Sequence, residues 1–526
     1  MPERNRSSTG GVRMAAISSP AWVLVGMCMA VGASPARGQC VEQQKLAALD
    51  AAANDFFGYA VSVSGDTAVV GAIGDNHAGG IDAGSAYVYV RSGGVWTQQQ
   101  KLTALDAAAG DNFGVSVSVS GDTIVVGAIF DDDAGRDSGS AYVFVRTGVV
   151  WNQQQKLTAS DATASDWFGA AVSVNGDTVV VGAYADDHAG GSDAGSAYVF
   201  VRSGVVWNQQ QKLTAADAAE SDEFGYTVSV SGDTAVVGAE LDDDAGASSG
   251  SAYVFVRSGT VWTPQQKLTA PDAAPGDQFG ISVSAGGDLA LIGAYRDDDA
   301  GSASGSAYVF VRSGAVWTPQ QKLTASDAAA GDEFGFSVSV SGSAAVVGAY
   351  ADDDAGMDSG SAYVFVRSAG VWAQQQKLTA ADAAAGDLFG ISVSVSGDAA
   401  VVGAYLDADV RSFAGSTYAF GCAFAAPCDG DDDCDDDDVC TQDVCAAASC
   451  GNPSRQFGDA NHDGSIDIFD ILCVLDGFAG VFSVCALPNV DLTPCPGGDG
   501  IIDVFDILAV LDGFAGVNAC NCPAGP

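Results

Sequence analysis

Carboxylates are the side chains whose number and spacing in this sequence could do chemistry. The 526 residues include 66 Asp and Glu against 21 Lys and Arg, for a formal net charge of −45. Such a charge attracts divalent cations and repels nucleic acids and anionic membranes, so neither of the latter is an expected partner. The aspartates fall into two patterns, a spaced one near the C-terminus and a triplet that recurs along most of the chain.

The spaced pattern is that of a calcium loop. In DANHDGSIDIFD, counting Asp459 as position 1 puts oxygen-bearing side chains at positions 3, 5, 7, 9 and 12 and a glycine at position 6. This is the EF-hand order, with Asp in place of the usual Glu at position 12. A second copy has a four-residue insertion after its first two ligands. The predicted calcium ligands are Asp459, Asn461, Asp463, Ser465, Asp467 and Asp470 in the first loop, and Asp491, Thr493, Asp499, Asp503 and Asp506 in the second.

An amphipathic helix is expected after the first loop. Phe469, Leu472, Leu475 and Phe478 follow one another three residues apart, which predicts one apolar helix face. The second copy continues in the same way with VFDILAVLDGF. The sequence therefore predicts a small α-helical calcium-binding domain over residues 457–526.

The tandem loop–helix pair resembles a dockerin, the calcium-dependent module that docks onto cohesin domains. The resemblance covers about residues 457–517 and implies bound calcium and a cohesin-like partner. Dockerins often recognise that partner with polar residues at loop positions 10 and 11, where this sequence has Ile468-Phe469 and Val504-Phe505. The alternative is a calcium-stabilised helical pair that serves as a terminal cap or a surface-retention tag.

The acidic triplets lack the spacing of a calcium loop. In DDDAGRDSGSAY, counting from Asp131, position 6 is Arg136 and position 12 is Tyr142, so the bending glycine and the closing carboxylate are both absent. A solvated turn that keeps a strand-rich surface soluble is the favoured interpretation, ahead of weak cation binding and of catalysis. The seven sets are Asp75-Asn76-His77, Asp131–Asp133, Asp186-Asp187-His188, Asp242–Asp244, Asp297–Asp299, Asp352–Asp354 and Asp407-Ala408-Asp409.

Internal repetition determines the fold that must position these loops. Phe-Gly recurs seven times with spacings of 55 or 56 residues, beginning at Phe57, Phe113, Phe168, Phe224, Phe279, Phe334 and Phe389. Each unit holds an alternating strand such as FGVSVSVS, a β-branched run such as IVVGAI, the acidic loop, and the strands SAYVFVR and VWNQQQKL. Short hairpin turns join them, which favours an antiparallel blade over a parallel solenoid.

We therefore predict an all-β, seven-bladed β-propeller of four-stranded blades over residues 39–421. The seventh unit ends in STYAFG without an outer QQKL strand, whereas EQQKL precedes the first Phe-Gly. Residues 42–47 are accordingly expected to complete the last blade, because that pairing leaves no open sheet edge. Each tryptophan before QQQ is expected to pack between blades, and a sugar-stacking role is the alternative.

The repeat pattern FGxSVSVSGDxxVVGA followed by GSAYVF resembles the FG-GAP repeat of integrin α-chain propellers and of many secreted bacterial proteins. The resemblance covers residues 42–421 and implies a propeller used for adhesion or ligand binding. Calcium-binding members carry a long Asp-rich loop between the Phe-Gly strand and the V-G-A strand. Here the connection is only SGDT, residues 120–123, so the family's metal ligands do not transfer to Asp122 or its equivalents.

The two ends of the chain indicate export. Residues 1–38 combine a basic start, an eleven-residue apolar core from Ala21 to Val31 and small residues, which is the pattern of a cleaved signal peptide. Of 13 cysteines, 11 lie between Cys422 and Cys522. Residues 422–456 are therefore predicted to be a disulfide-rich acidic spacer, although the sequence does not determine the pairing. No transmembrane segment is expected.

These features predict a secreted or cell-surface protein that binds a protein or glycan through its propeller and is tethered by its calcium-binding tail. It is not expected to be an enzyme, because only three histidines occur and no nucleophile–base motif stands out. The alternative is a tethered propeller enzyme that acts on polysaccharide. Near-identical units argue against that alternative, since a catalytic site needs asymmetry, and Tyr295 and Arg296 are among the few deviations.

Overall fold

Each repeat unit forms a four-stranded antiparallel sheet, and seven such blades surround a central axis. The structure is a computed structural model that describes residues 39–424 and a short antiparallel hairpin of two strands, Val444–Ala446 and Ser449–Gly451. The predicted signal peptide and the predicted calcium-binding domain lie outside the described residues. The prediction of a seven-bladed propeller is confirmed over residues 39–424.

The strands follow one order in every blade. In chain order they are β1 (Cys40–Leu46); β2 (Phe57–Ser64), β3 (Thr67–Ala72), β4 (Ser85–Ser92) and β5 (Val95–Leu102) in blade 1; β6 (Phe113–Ser120), β7 (Thr123–Ala128), β8 (Ser140–Thr147) and β9 (Val150–Leu157) in blade 2; β10 (Ala171–Asn175), β11 (Thr178–Ala183), β12 (Ser196–Ser203) and β13 (Val206–Leu213) in blade 3; β14 (Val228–Ser231), β15 (Thr234–Ala239), β16 (Ser251–Ser258) and β17 (Val261–Leu268) in blade 4; β18 (Val283–Gly286), β19 (Leu289–Ala294), β20 (Ser306–Ser313) and β21 (Val316–Leu323) in blade 5; β22 (Ser337–Ser341), β23 (Ala344–Ala349), β24 (Ser361–Ser368) and β25 (Val371–Leu378) in blade 6; and β26 (Ser392–Ser396), β27 (Ala399–Ala404) and β28 (Ser416–Cys422) in blade 7. The first strand of each blade contacts the first strands of its neighbours and so lies nearest the axis. The described residues contain no helix with the length and hydropathy to cross a membrane.

The hydrophobic cores lie between facing blades rather than within them. The core between blades 1 and 2 joins Val88 and Leu102 of one sheet to Phe113 and Val126 of the next. Phe113 of the Phe-Gly pair stands edge-on to Tyr142, with ring centroids 5.5 Å apart. Burial of apolar surface between sheets, repeated around the ring, is the main stabilising interaction of the fold.

The tryptophans belong to these cores, as the sequence predicts. Trp151 is 2% exposed, packs in the core between blades 1 and 2, and donates its indole N–H to Gln99 Oε1 at 2.9 Å. The buried rings offer no face for stacking a sugar. The alternative role of these tryptophans as sugar platforms is therefore wrong.

Glycine permits the close contact between neighbouring blades near the axis. A Cβ atom on Gly71 of blade 1 would lie 2.0 Å from the carbonyl oxygen of Gly114 in blade 2, so any side chain would push the sheets apart. Serine hydroxyls then bond one inner strand to the next. For example, Ser62 Oγ accepts the backbone N–H of Val119 at 3.1 Å.

The ring closes through β1, as predicted, within two residues of the expected bounds. β1 pairs antiparallel with β28 and becomes the outermost strand of blade 7. A disulfide joins Cys40 to Cys422 at the end of this pairing, 382 residues apart in sequence. The inner ring also closes, because Val63 N–H donates to Ser394 Oγ at 3.0 Å.

Replacing both Cys40 and Cys422 by alanine in the full chain should lower the free energy of unfolding by about 2–5 kcal/mol, since the disulfide restricts the unfolded chain over the whole ring. Urea unfolding monitored by tryptophan fluorescence measures this change. The variant should still fold, because the β1–β28 hydrogen bonds remain. An unchanged midpoint would show that strand pairing alone closes the ring.

Candidate functional site

Lysine and aspartate form one cluster per blade on one face of the ring, here called the rim clusters. Each contains a lysine from the outermost strand, the first aspartate of the acidic triplet, and an aspartate from the connection that enters the blade. The lysines are Lys45, Lys101, Lys156, Lys212, Lys267, Lys322 and Lys377, which are all the lysines of the chain. The triplet aspartates are Asp407, Asp75, Asp131, Asp186, Asp242, Asp297 and Asp352, and the connection aspartates are Asp382, Asp50, Asp106, Asp161, Asp217, Asp272 and Asp327.

The cluster of blade 2 shows the geometry. Lys156 Nζ lies 2.8 Å from Asp131 and 2.9 Å from Asp106, and it also contacts Asp133. The hydroxyl groups of Tyr142 and Ser140 donate to Asp131 at 2.8 and 3.0 Å. Asp131 is only 3% exposed, so its carboxylate is stabilised by hydrogen bonds and a charge partner rather than by solvent.

The pKa of Asp131 reflects the balance of these effects. Burial would raise the pKa, but the hydrogen bonds from Lys156 and Tyr142 and the charge of Lys156 together lower it below its ordinary value. A carboxyl group whose pKa is lower in the folded state stabilises the fold above its unfolded pKa and loses that contribution as the pH falls through the folded pKa. The Asp131 carboxylate of blade 2 should therefore keep its contribution at neutral pH and lose it only below the ordinary pKa of an aspartate.

This geometry corrects the interpretation of the triplets as solvated turns. Asp132 and Asp133 are exposed, as expected, but Asp131 is buried and pairs with a lysine 25 residues further along the chain. Metal binding is not excluded by spacing, because in blades 2, 4, 5 and 6 three carboxylate oxygens lie within 4.8 Å of one another. In each of these blades the lysine ammonium already contacts all three carboxylates.

The connection between the first and second strands is as short as the sequence predicts. In blade 2 it consists of Gly121 and Asp122 between β6 and β7. Asp122 is largely exposed, and its carboxylate is bound by the Arg146 guanidinium at 2.5 Å. A two-residue turn closed by an arginine does not fit a calcium ion, which needs six to eight oxygens.

A second candidate site lies on the axis, where the residues that differ among blades converge. A cavity of about 520 Å³ is lined by the first residues of the innermost strands. We define the channel mouth by three positions of each unit, the residue before Phe-Gly, the residue after it and the residue after V-G-A. In blade order these are Phe56, Asn112, Trp167, Glu223, Gln278, Glu333 and Leu388; Tyr59, Val115, Ala170, Tyr226, Ile281, Phe336 and Ile391; and Ile73, Ile129, Tyr184, Glu240, Tyr295, Tyr350 and Tyr405. All seven residues after Phe-Gly and four of those after V-G-A line the cavity itself.

Aromatic rings contact one another both within a blade and across neighbouring blades at the channel mouth. Trp167 and Tyr184 have ring centroids 5.1 Å apart, and Tyr184 and Tyr226 have centroids 5.0 Å apart. Phe336 contacts Tyr350 at 4.6 Å and Tyr295 at 5.4 Å. The channel mouth is thus an asymmetric aromatic surface, although the blades that support it are nearly identical.

Two glutamates of blade 4 sit among these rings. Burial raises the pKa of Glu223 to about 7, and the charge of Asp193 adds to the effect. Burial raises the pKa of Glu240 to about 8; the charge of Glu223 raises it further and the charge of Arg296 opposes the shift. The sequence does not mark either glutamate as a site residue, because each stands at a variable position of its repeat and belongs to no motif.

The predicted calcium ligands of the tail, Asp459 to Asp506, lie outside the described residues, and so does most of the predicted cysteine-rich spacer. Their grouping into two loops stays a prediction.

Replacing Lys156 by alanine should destabilise the full chain by about 3 kcal/mol, because it leaves the buried Asp131 carboxylate without its charge partner. Millimolar Ca²⁺ should restore part of that loss, since three carboxylates remain close enough to share one ion. Thermal unfolding with and without Ca²⁺ measures both effects.

Lys212→Ala is the matched control. Its cluster has only two aspartates, Asp161 and Asp186, because His188 replaces the third triplet member and bonds to the carbonyl oxygen of Gly195. This variant should lose similar stability without rescue by Ca²⁺. Equal rescue of both variants would contradict a carboxylate site in blade 2.

Among comparisons with known proteins, the family profile supports the repeat architecture. A search of curated protein sequences finds no significant match. The chain is similar to the crystal structure of Saccharomyces cerevisiae Sqt1 at 12% sequence identity and a TM-score of 0.40, over 70% of this chain and 84% of that one. The profile described as FG-GAP repeat matches seven segments, residues 40–89, 96–144, 151–200, 207–255, 262–310, 317–365 and 372–420. These segments cover more than half of the sequence, one in each blade, and the chain belongs to the FG-GAP repeat family.

Proposed function

We propose that the propeller is a non-catalytic binding module of an exported protein, and that the channel mouth is its binding surface. The observation that carries this proposal is the position of the sequence differences among blades. Residues that pack between blades are nearly the same in all units, whereas the three mouth positions vary among aromatic, aliphatic, amide and acidic side chains. A seven-fold scaffold with an asymmetric channel mouth is suited to recognising one ligand in one orientation.

The chemistry of the mouth supports ligand binding. Tyrosine and tryptophan provide large rigid contact surfaces at a low entropic cost, and they are enriched where proteins bind partners. Glu240 and Gln278 add hydrogen-bond acceptors that are almost fully buried, at 6% and 8% exposure. A few polar groups within an apolar cavity are typical of sites that select a ligand by orientation.

Tethering is the second part of the proposal. FG-GAP repeat proteins are typically extracellular or surface-exposed, and the predicted signal peptide agrees with that location. The predicted calcium-binding tail would then hold the propeller on a cell surface or in a matrix, through a cohesin-like partner or as a retention tag. The Cys40–Cys422 disulfide is compatible with an oxidising compartment.

One observation favours the alternative of an enzyme that acts on polysaccharide. Glu223 and Glu240 have pKa values raised by burial to about 7 and 8, and carboxyl groups of this kind can donate a proton near neutral pH. Release of reducing ends from a panel of polysaccharides would support catalysis. Loss of that release in Glu240→Gln would identify Glu240 as the general acid.

Exchanging two mouth residues for those of blade 2, as Tyr184→Ile and Tyr226→Val, should weaken ligand capture without loss of the fold. Blade 2 carries Ile129 and Val115 at these positions, so both side chains suit the scaffold. The full chain is screened on a glycan array and on a panel of extracellular-matrix proteins, and each hit is measured again with the variant. We expect a loss of affinity of about tenfold or more, because aromatic anchors dominate binding surfaces.

The control for this experiment is Val206→Thr, at an exposed position on the outer edge of blade 3. It should bind as the wild type does. Ligands that bind the mouth variant and the wild type equally would place the binding surface elsewhere on the ring.

The tail yields a separate prediction. Asp463→Ala should abolish calcium binding by the first loop, since position 5 supplies a carboxylate ligand. EDTA should lower the melting temperature of the segment 457–526, because calcium binding and folding are coupled in small metal-binding domains. Ser483→Ala, between the two predicted loops, is the control and should leave calcium binding unchanged. An identical melt with and without calcium would contradict the calcium loops.

A further inference from the structure

Glu223 and Glu240 differ from the other carboxylate clusters of the ring in having no lysine. Each of the seven rim clusters contains a lysine within 2.9 Å of its aspartates. Among residues 39–424, no lysine forms an ion pair with either glutamate. Arg296 influences Glu240 through its charge, but it is exposed and lies over the Tyr295 ring at 5.1 Å.

The second observation is an unpartnered acceptor. Glu240 is 6% exposed, and its Oε2 atom is buried without a hydrogen-bond partner. Gln278, on the next blade, is 8% exposed and its Oε1 atom is also buried and unpartnered. Leaving a buried acceptor unpaired destabilises a protein, and a bound ligand, ion or water is one way to satisfy it.

The rim clusters show what this protein places among tyrosines and carboxylates. Lys156 Nζ lies 5.3 Å from the centroid of the Tyr142 ring while it contacts Asp131 and Asp106. All seven lysines adopt this arrangement, at 5.1 to 5.3 Å from the tyrosine centroid. The combination of a tyrosine face with two carboxylates is therefore an ammonium site in this fold.

The channel mouth repeats these groups around Glu240. Burial raises the pKa of Tyr226 and of Tyr295, and the charge of Glu240 raises both further. Burial likewise raises the pKa of Tyr184, and the charges of Glu223 and Glu240 add to the effect. The backbone N–H of Tyr226 donates to the carbonyl oxygen of Glu223 at 3.1 Å, so these two residues lie side by side. Tyr184 and Tyr226 line the axial cavity. A ligand group in this cavity would lie against both tyrosine faces, and a bond to the buried Glu240 Oε2 atom would require neighbouring side chains to shift.

We propose that the channel mouth binds an alkylammonium group, with Glu223 and Glu240 as its charge partners and Tyr184 and Tyr226 as its aromatic walls. This inference rests on the proposed function, since it names the ligand chemistry of that binding surface. Two kinds of ligand could supply this alkylammonium group: a free polyamine, or a lysine side chain of a partner protein.

A neutral sugar and a metal ion fit the same residues less well. A sugar would stack on the tyrosines but would leave the two glutamates without a counter-charge. Calcium needs six to eight oxygens in one shell, and the two glutamates with Gln278 supply too few. An ammonium group needs only two or three acceptors and gains from the aromatic faces.

Binding is tested by calorimetry of the full chain with spermidine and, separately, with a blocked tetralysine peptide at an ionic strength of about 0.15 M. Glu223→Gln and Glu240→Gln should each weaken binding by about 10- to 100-fold, the loss expected for a hydrogen bond to a charged group. Glu240→Tyr should do the same without loss of the fold, because Tyr184, Tyr295, Tyr350 and Tyr405 hold the equivalent position.

The control must account for the net charge of −45, which attracts any polycation to the surface. Glu220→Gln removes an equal charge from an exposed site three residues before Glu223. It should bind within about twofold of the wild type, since exposed charges are screened at this salt concentration. Equal losses in all glutamate variants would show surface attraction only and would overturn the site.

Proton release gives an independent readout. An ammonium group beside Glu240 lowers its pKa from about 8, so binding below that pH should release a proton, and affinity should rise by up to about tenfold per pH unit between about pH 6 and 7.5. The titratable and charged groups that interact with Glu240 are Glu223, Tyr184, Tyr226, Tyr295 and Arg296. Of these, only Glu223 also titrates in this pH range. A pH-independent affinity would overturn the role of the glutamates.

The outcomes separate this inference from the proposed function. Binding of both probes, or of either one, with loss in the glutamate variants supports the ammonium site and identifies its source. A neutral glycan that is lost in the Tyr184→Ile, Tyr226→Val variant but retained in Glu240→Gln would overturn the ammonium site and leave the proposed binding surface intact. Calcium binding that depends on Glu240 would overturn it in favour of a metal.

Discussion

Closure of the ring is the constraint on which the rest of the structure depends. Each blade has its core between its own sheet and the next, so a blade at an open end would expose one face to water. β1 removes that open end by pairing with β28, and the Cys40–Cys422 disulfide fixes the junction covalently. Because Leu46 and Ala48 follow directly into the core between blades 7 and 1, the N-terminal strand contributes both hydrogen bonds and apolar surface.

Charge compensation at the rim follows from the same architecture. A chain with three times as many acids as bases still buries one triplet aspartate in every blade, and it does so by committing every lysine to these clusters. The clusters connect three segments that are far apart in sequence, namely the outermost strand, the acidic loop and the connection from the preceding blade. They act as electrostatic ties between blades, so their charge is structural even where the oxygen spacing could suit a metal ion.

Periodic patterns made the fold predictable, whereas sites built from distant segments were not. Alternation, Phe-Gly spacing and the divided last blade predicted the strands, the blade number and the closing strand. The pairing of Lys156 with Asp131 and Asp106 was not recognised, although offsets of 25 or 26 and 50 or 51 residues recur in the sequence. The mouth was missed for a different reason: Trp167, Tyr184 and Tyr226 are isolated substitutions in the sequence, and only the ring places them side by side.

The position of this variation follows from how the blades are packed. Between blades, Gly71 lies so close to Gly114 that a single added carbon would clash, and Phe113 must fit against Tyr142. At the mouth, side chains project from strand ends toward a cavity of about 520 Å³, where larger and smaller residues can be accommodated. Substitutions there cost little stability, so a repeat that must stay uniform for packing can still diversify at its axis.

Glu240 illustrates the limit of that freedom, because a buried carboxylate with an unpaired oxygen carries a penalty that an aliphatic or aromatic residue avoids. A ligand that bonds to that oxygen, as proposed, would offset the penalty.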